Sequence, residues 1–238
     1  MLPRGERPAR GRNLVYHGGP ILKSPLVYVV YWGWTSDPSG EQSYLNSFLS
    51  GVGGSSWLNT VTQYYSNAQG YITNPSGQYA GSWSDNTNQL PSHPTDSQVQ
   101  AEANRAASHF GGANANAAYI VATPTGHSTS GFGTQWCAYH GYTGSVSYTD
   151  FPYMTDAGSS CGANIISGPL DGVSIVGGHE YAESITDPQL NAWYNSGGSE
   201  IGDLCAWVNI QLTSFSTGNF ATQPLWSNHS SSCVQHYP

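Results

Sequence analysis

The chain has 238 residues, 38% of them hydrophobic, and a formal net charge of −8 at pH 7. This length fits one large domain, and no apolar run approaches the ~20 residues of a membrane-spanning helix, which excludes a transmembrane protein. Beyond position 23 the chain holds 13 acidic residues and a single basic one. A body without a basic face does not bind a phosphate backbone, so nucleic acid is excluded as a partner.

The basic residues are concentrated at the start of the chain. The opening stretch "MLPRGERPARGR" lacks the apolar centre of a signal peptide. It is typical of a disordered arm, a propeptide remnant or an extension added for expression. We therefore predict a flexible basic arm over residues 1–23 that leads into a single catalytic-type domain over residues 24–238.

The first half of this domain alternates strands and helices. "SPLVYVVYWGW" (24–34) predicts a buried strand, and "EQSYLNSFLSGVG" (41–53) predicts a helix with an apolar stripe. "SSWLNTVTQYYS" (55–66) predicts a short helix. "TDSQVQAEANRAASHFGG" (95–112) predicts a helix capped by Thr95 or Asp96, and "AAYIVATP" (117–124) predicts a second buried strand. Residues 123–150 predict loops and short strands.

The second half contains the segment that carries chemistry. "DGVSIVGGHEYAESITDP" (171–188) predicts a helix up to Thr186, because the residue before Pro188 avoids helical geometry. "WVNIQL" (207–212) and "QPLWSN" (223–228) predict late strands. The order of elements predicts an α+β fold, a mixed sheet with flanking helices.

His179-Glu180-Tyr181-Ala182-Glu183 resembles the zinc-peptidase signature H-E-x-x-H with its second histidine replaced. On a helix, His179 and Glu183 share one face, while Glu180 projects about 100° round the axis. Two ligands would then hold a metal, with Glu180 beside it as general base. The alternative interpretation is an ordinary solvated surface helix.

Acidic residues cluster around this helix in a chain that has few charges elsewhere. Carboxylates without neighbouring cations repel one another, and a bound metal stabilises such a group. The cluster spans 33 positions without Lys or Arg and holds six of the fourteen acidic residues: Asp171, Glu180, Glu183, Asp187, Glu200 and Asp203.

A catalytic zinc site needs a third protein ligand. The sequence favours Glu200, with Asp203 accepting a hydrogen bond from the free ring nitrogen of His179, and the reverse assignment stays open. The oxygen-rich donor set also admits Mn²⁺ or Ca²⁺ in place of Zn²⁺. Because carboxylate ligands stay ionised where a histidine would be protonated, we expect an acid-tolerant site.

The four cysteines show no spacing typical of a structural zinc site, and they predict two disulfides in a secreted, extracellular protein. The blocks "GFGTQWCAYHGY" (131–142) and "GGHEYAESITDPQLNAWYNSGGSEIGDLCAW" (177–207) resemble the phosphate-induced, EXORDIUM-like secreted family, in particular its bacterial and oomycete branch. Plant members read H-E-L-A-G and lack the acidic residue found here at Glu183.

The resemblance implies the cysteine pairs. The family has a denser cysteine pattern around the first block, where this chain keeps only Cys137. This leaves Cys137–Cys161 and Cys205–Cys233 as the natural pairs, which is one of the three connectivities that four cysteines allow.

These patterns predict a zincin-like domain that acts as a secreted zinc endopeptidase on peptide or protein substrates, as a monomer. His140 is a candidate donor to an oxyanion from across the cleft, although packing explains it equally well. The alternatives are a non-catalytic cell-wall or signalling protein with a structural metal and, second, a glycoside hydrolase that uses two carboxylates.

Overall fold

The computed structural model describes residues 1–5 and 13–238. In these ranges the α-helices are α1 (Glu41–Val52), α2 (Asp96–His109) and α3 (Asp171–Thr186). Short 3₁₀ helices span Leu58–Gln63, Met154–Cys161 and Asp203–Cys205. The strands are β1 (Val15–Tyr16), β2 (Leu26–Trp32), β3 (Tyr65–Ser66), β4 (Gly70–Tyr71), β5 (Tyr79–Asp85), β6 (Ala117–Ala122), β7 (Tyr139–Thr143), β8 (Val146–Phe151), β9 (Trp193–Tyr194), β10 (Gln211–Phe215), β11 (Gly218–Thr222), β12 (Leu225–Ser227) and β13 (Ser232–Val234).

A five-stranded sheet in the order β5-β2-β6-β8-β7 forms the centre of the fold. Its pairs are parallel except at one edge, where β7 runs antiparallel to β8. The sequence missed β5, because "YAGSWSD" has few of the apolar residues that mark a buried strand. The antiparallel edge strand is the part of the sheet that carries His140.

The alternation of side chains along the central strands divides the core into two layers. Successive residues of a strand point to opposite faces. In β2, Val29 and Tyr31 pack in the layer that contains α1 and α3, whereas Val30 and Trp32 pack against α2. The sheet is therefore buried on both faces, as its parallel pairing requires.

Helix α2 begins where the capping pattern predicts. The Thr95 hydroxyl accepts a hydrogen bond from the backbone N–H of Gln98, and the Gln98 side chain accepts one from the N–H of Thr95. This capping box satisfies two N–H groups that have no partner within the helix.

Helix α3 ends at Thr186, as the Asp187-Pro188 sequence predicts, and all its residues are buried. Gly178 allows close packing, because a Cβ at this position would lie 3.0 Å from the Trp57 ring. The interpretation of the H-E-x-x-E segment as a solvated surface helix is therefore wrong.

Two predicted elements differ from the structure. The strand predicted over residues 207–212 begins only at Gln211, because Trp207 and Asn209 adopt positive φ angles of 59° and 48°. The short helix predicted over residues 55–66 is a 3₁₀ helix over Leu58–Gln63.

The predicted arm over residues 1–23 falls partly on residues 6–12, which lie outside the described residues. In the described remainder Met1, Leu14, Ile21 and Leu22 are buried, and β1 pairs with β9. No helix in the described ranges has both the length and the apolar character required to span a membrane.

Both predicted disulfides are confirmed. Cys137 is bonded to Cys161 and Cys205 to Cys233, with Cα–Cα distances of 5.5 Å and 5.7 Å. The second bond ties the segment that follows β9 to β13, close to the end of the chain.

Candidate metal centre

Three parts of the fold bring the candidate residues together. The edge strand β7 contributes His140, helix α3 contributes three residues, and the segment after β9 (residues 199–205) folds back over α3 and contributes two. We call this group the α3 cluster, and its members are His140, His179, Glu180, Glu183, Glu200 and Asp203.

His179, Glu183 and Asp203 form one side of the α3 cluster. The Nε2 atom of His179 lies 3.1 Å from Glu183 Oε1 and 3.6 Å from Asp203 Oδ1. His179 is fully buried, whereas the Asp203 side chain is 36% exposed. Asp203 therefore faces the same ring nitrogen as Glu183, and not the second nitrogen that the sequence assigned to it.

His140, Glu183 and Glu200 form the other side. His140 Nδ1 lies 3.6 Å from Glu183 Oε2, and His140 Nε2 lies 3.5 Å from Glu200 Oε1. One candidate ligand atom of each residue lies within 4.8 Å of those of the other two, and the same holds for His179, Glu180 and Glu183. The sequence paired Glu200 with His179, whereas the structure places Glu200 beside His140.

The returning segment is fixed to α3 by its backbone. The N–H groups of Gly202 and Asp203 donate to Glu183 Oε1 at 3.2 Å and 3.0 Å. A Cβ at position 202 would lie only 2.7 Å from His179 Nδ1. Gly202 thus allows the segment to approach the imidazole. This role was not predicted from the sequence, although the position of Gly202 between Glu200 and Asp203 could have indicated it.

The α3 cluster fits a divalent metal. Ligand atoms bound tetrahedrally at about 2 Å lie roughly 3.3 Å from one another, and the His179–Glu183 and His179–Asp203 distances, 3.1 Å and 3.6 Å, bracket that value. Both ring nitrogens of His179 and Oε1 of Glu200 are buried without a hydrogen-bond partner among the described residues. Buried polar atoms ordinarily have partners, and a cation would supply one.

The electrostatics of the α3 cluster favour the binding of positive charge. Burial alone would lower the pKa of His140, but Glu200 and the neighbouring glutamates raise it to about 10. Burial and the Asp203 carboxylate raise the pKa of Glu183. Burial likewise raises the pKa of Glu200 well above its usual value. All three raised pKa values have the same cause: several carboxylates are buried close together, where the dielectric constant is low.

Glu180 differs from the other carboxylates of the α3 cluster because an amino group lies against it. The α-amino nitrogen of Met1 is 2.5 Å from Glu180 Oε1. Burial raises the pKa of Glu180, but the Met1 amine and His140 outweigh that effect and hold it below its usual range. His140 Nδ1 lies 3.4 Å from Glu180 Oε2.

Asp187 shapes the turn that follows α3. Its Oδ1 atom accepts hydrogen bonds from the N–H groups of Asn191 and Ala192 at 2.6 Å and 2.7 Å. Its backbone carbonyl lies 3.2 Å from His140 Nε2. The backbone carbonyl of Asp187 therefore contacts His140. Its carboxylate stabilises the turn by accepting the hydrogen bonds from Asn191 and Ala192.

Comparison with known proteins relates most of the chain to one group. A family model described as "Phosphate-induced protein 1 conserved region" matches residues 14–165. Protein EXORDIUM-like 5 from Arabidopsis thaliana is 29% identical over an alignment of 235 residues. The match covers 81% of this chain and 64% of that protein. The chain thus spans just under two thirds of the length of this relative. No solved structure matches.

The region matched by the family model contains only part of the site. His140 lies inside residues 14–165, whereas α3 and the returning segment lie after them. The match therefore says nothing about the residues of α3 and the returning segment.

Proposed function

The chain belongs to the phosphate-induced protein 1 family, and we propose from the geometry of the α3 cluster that it is a metal-dependent hydrolase that cleaves peptide bonds there. The observation that carries the proposal is the buried group of His179, Glu180 and Glu183 on α3, whose candidate ligand atoms all lie within 4.8 Å of one another. A peptide bond that breaks releases an amine, and the amine must receive a proton from a nearby acid. Glu180 lies beside the proposed ligands His179 and Glu183 on α3, where it could make that transfer.

The proposed ligands of the metal are His179, Glu183 and Asp203. The distances of Glu183 and Asp203 from His179 Nε2, 3.1 Å and 3.6 Å, support this set. The alternative is Glu200, which forms a group with His140 and Glu183 whose candidate ligand atoms all lie within 4.8 Å of one another. Zinc is the favoured ion, and Mn²⁺ or Ca²⁺ would also suit an oxygen-rich set. When bound, such an ion supplies Lewis acidity that polarises a carbonyl group and acidifies water.

The protein side chains move the proton and stabilise charge in this proposal. Glu180 accepts a proton from the attacking water and then gives it to the leaving nitrogen. His140 lies within reach of Glu180 and carries an N–H that can donate to the oxygen on which negative charge develops. The acid tolerance expected from the sequence follows from ligands that are mostly carboxylates.

We also assign the domain to the zincin-like folds. Helix α3 packs below a mixed sheet, and the single antiparallel edge strand β7 borders the site, which supports this assignment. The acidic residue at position 183 supports placement in the bacterial-type branch of the family. The two disulfides support secretion, and we propose a monomeric enzyme.

A second candidate is a non-catalytic cell-wall or signalling protein with a structural metal. The burial of His179, Glu180 and Glu183 favours it, since each is at most 2% exposed. A glycoside hydrolase has less support, because Glu180 and Glu183 lie on one helix and not on two sides of a cleft.

The Glu180→Gln variant tests the proposal. We expect it to bind one metal ion and to unfold like the unmodified protein, but to cleave quenched fluorescent peptides at least about a hundredfold more slowly, as the loss of a general base predicts. Glu102→Gln, on the opposite face of the sheet, is the matched control and should cleave normally. Full activity in Glu180→Gln would contradict the assignment, and a bound metal without any cleavage by the unmodified protein would favour the structural role.

A further inference from the structure

The carboxylate of Glu183 lies between the two sides of the α3 cluster. Its Oε1 atom is 3.1 Å from His179 Nε2, and its Oε2 atom is 3.6 Å from His140 Nδ1. The two oxygens of one carboxylate therefore face two different imidazole rings. A carboxylate placed in this way can bind one metal ion through each of its oxygens.

The side that Glu183 Oε2 faces has a donor set of its own. His140, Glu183 and Glu200 form a group whose candidate ligand atoms all lie within 4.8 Å of one another. The Oε1 atom of Glu200 lies 3.5 Å from His140 Nε2, and it is buried without a hydrogen-bond partner among the described residues. Buried polar atoms ordinarily have partners, and a cation on this side would supply one.

The ring of His140 is oriented as in a metal ligand. Its Nε2 atom lies 3.2 Å from the backbone carbonyl oxygen of Asp187, to which it can donate a hydrogen bond. Metal-binding histidines ordinarily donate their second N–H to a carbonyl or carboxylate oxygen, which fixes the ring and leaves the other nitrogen for the metal. In His140 the other nitrogen is Nδ1, the atom that faces Glu183 Oε2.

The returning segment directs its two carboxylates to different sides of the α3 cluster. The backbone N–H of Glu200 donates to Asp203 Oδ2 at 3.2 Å. The other oxygen of that carboxylate, Asp203 Oδ1, lies 3.6 Å from His179 Nε2, whereas the Glu200 side chain reaches His140. Each of the two candidates for the third ligand can therefore serve an ion of its own.

We propose that the α3 cluster binds a second divalent metal ion, held by His140, Glu200 and Oε2 of Glu183, beside the first ion at His179, Asp203 and Oε1 of Glu183. Glu183 would then bridge the two ions. Hydrolytic centres with two metal ions place them about 3.5–4 Å apart, which one carboxylate can span. The mixed nitrogen and oxygen donors suit Zn²⁺ or Mn²⁺.

The second ion should bind more weakly than the first. Two divalent cations repel each other, and the first ion already balances part of the charge of Glu183. At metal concentrations that fill only the first site, the protein therefore holds one ion. The inference rests on the proposed function for that first ion, and a second ion at His140 would replace the N–H that the proposed mechanism uses.

Calorimetric titration of the metal-free full chain with Zn²⁺ counts the bound ions. We expect two phases of one ion each, with the second Kd about tenfold or more above the first. Glu200→Gln should keep the first phase and weaken the second about a hundredfold or abolish it. His109→Asn removes an exposed histidine at the end of α2. It is the matched control for zinc bound at the surface and should keep both phases.

Mn²⁺ tests whether the two ions share Glu183. Paramagnetic ions bridged by one carboxylate are magnetically coupled, so the electron paramagnetic resonance signal per bound Mn²⁺ should fall when the second ion binds. This measurement uses the unmodified protein and stays decisive if Glu200→Gln does not fold. A constant signal per ion would overturn the proposal.

The zinc titration can also contradict the second site. A single phase in the unmodified protein, or none, would overturn it. So would a second phase that persists in folded Glu200→Gln or disappears in His109→Asn. Loss of the first phase in Glu200→Gln would assign Glu200 to the first ion and overturn it as well.

Failure of this proposal is distinguishable from failure of the proposed function. Two coupled ions in a protein that cleaves no peptide would keep the second site and refute the hydrolase. Peptide cleavage by a protein that binds a single ion would keep the hydrolase and refute the second site.

Discussion

Two groups of buried acidic residues lie on opposite faces of the central sheet and are stabilised differently. Beneath α2, Asp85 accepts hydrogen bonds from Thr87 and Asn88, and Glu102 accepts one from Arg105. Burial raises the pKa of Asp85, but these hydrogen bonds outweigh it and lower the pKa to about 2. In this first group the protein supplies the donors to Asp85 and to Glu102 Oε2, whereas Glu102 Oε1 has no hydrogen-bond partner among the described residues.

The carboxylates of the α3 cluster face one another and two imidazole rings. Their salt bridges within the described residues involve the Met1 amine, His140 and His179, and no Lys or Arg. On the α2 side a permanently charged Arg105 pairs with Glu102, whereas the α3 cluster has imidazoles and an amine as its cationic partners. The proposed metal would add positive charge to four buried or partly buried carboxylates, and the α2 side has no such proposed ligand.

The largest expected effect comes from removing the residue shared by both halves of the α3 cluster. Glu183→Ala should weaken zinc binding by more than the roughly 10- to 100-fold that the loss of a supporting residue costs. Glu102→Gln, on the α2 side, should bind zinc normally. Competition titration with a chromogenic chelator measures both affinities, and equal affinities would remove the distinction between the two groups.

A smaller difference should separate the two candidates for the third ligand. Because Asp203 lies 3.6 Å from His179 Nε2 and Glu200 lies beside His140, Asp203→Asn should weaken zinc binding more than Glu200→Gln. The same titration ranks the two variants. If Glu200→Gln weakened zinc binding more than Asp203→Asn, Glu200 would be the third ligand and the metal site would lie closer to β7.

Gly202 tests whether the close approach of the returning segment matters. In Gly202→Ala the added Cβ would displace either the segment or the His179 ring, and zinc binding should weaken about tenfold or more. Gly168→Ala is the matched control, because a Cβ there meets no atom within 4 Å. Unchanged affinity in Gly202→Ala would show that the imidazole position is not critical.

The smallest effect concerns stability. Glu41 is buried like Glu183, and its carboxylate likewise accepts two backbone N–H groups, those of Met154 and Thr155. Burial outweighs these bonds and raises the pKa of Glu41 to about 7. The folded state then binds more protons than the unfolded state between about pH 4.5 and pH 7. Stability should therefore rise as the pH falls through this window.

The matched variant isolates the contribution of Glu41. Glu41→Gln cannot titrate, so the gain in thermal stability between pH 7.5 and pH 5 should be smaller than in the unmodified protein. Differential scanning calorimetry at the two pH values measures both gains. Identical gains would assign the pH dependence to other groups.

Local signals predicted much of the fold. Asp187-Pro188 set the end of α3, the Thr95 capping box set the start of α2, and the β-branched run around Val29 and Val30 marked the central strand. Positive φ angles at Trp207 and Asn209 were not predictable, because neither residue type favours them strongly enough to be recognised.

The sequence predicted only those parts of the site that lie close together in the chain. The four-residue spacing of His179 and Glu183 predicted that their side chains lie on the same face of α3. By contrast, the proximity of His140 depends on β7 lying at the sheet edge beside α3, which is a consequence of tertiary packing. The position of Met1 at Glu180 joins residues 179 positions apart, and no local pattern encodes it.

The most direct test of the central claim is the location of a bound metal in a crystal of the zinc-loaded full chain by anomalous scattering at the zinc edge. The account predicts one strong peak about 2 Å from His179 Nε2 and from a Glu183 carboxylate oxygen, with Asp203 as the third ligand. A crystal with no peak in the α3 cluster, or with its peak at Asp85 and Glu102 instead, would contradict it.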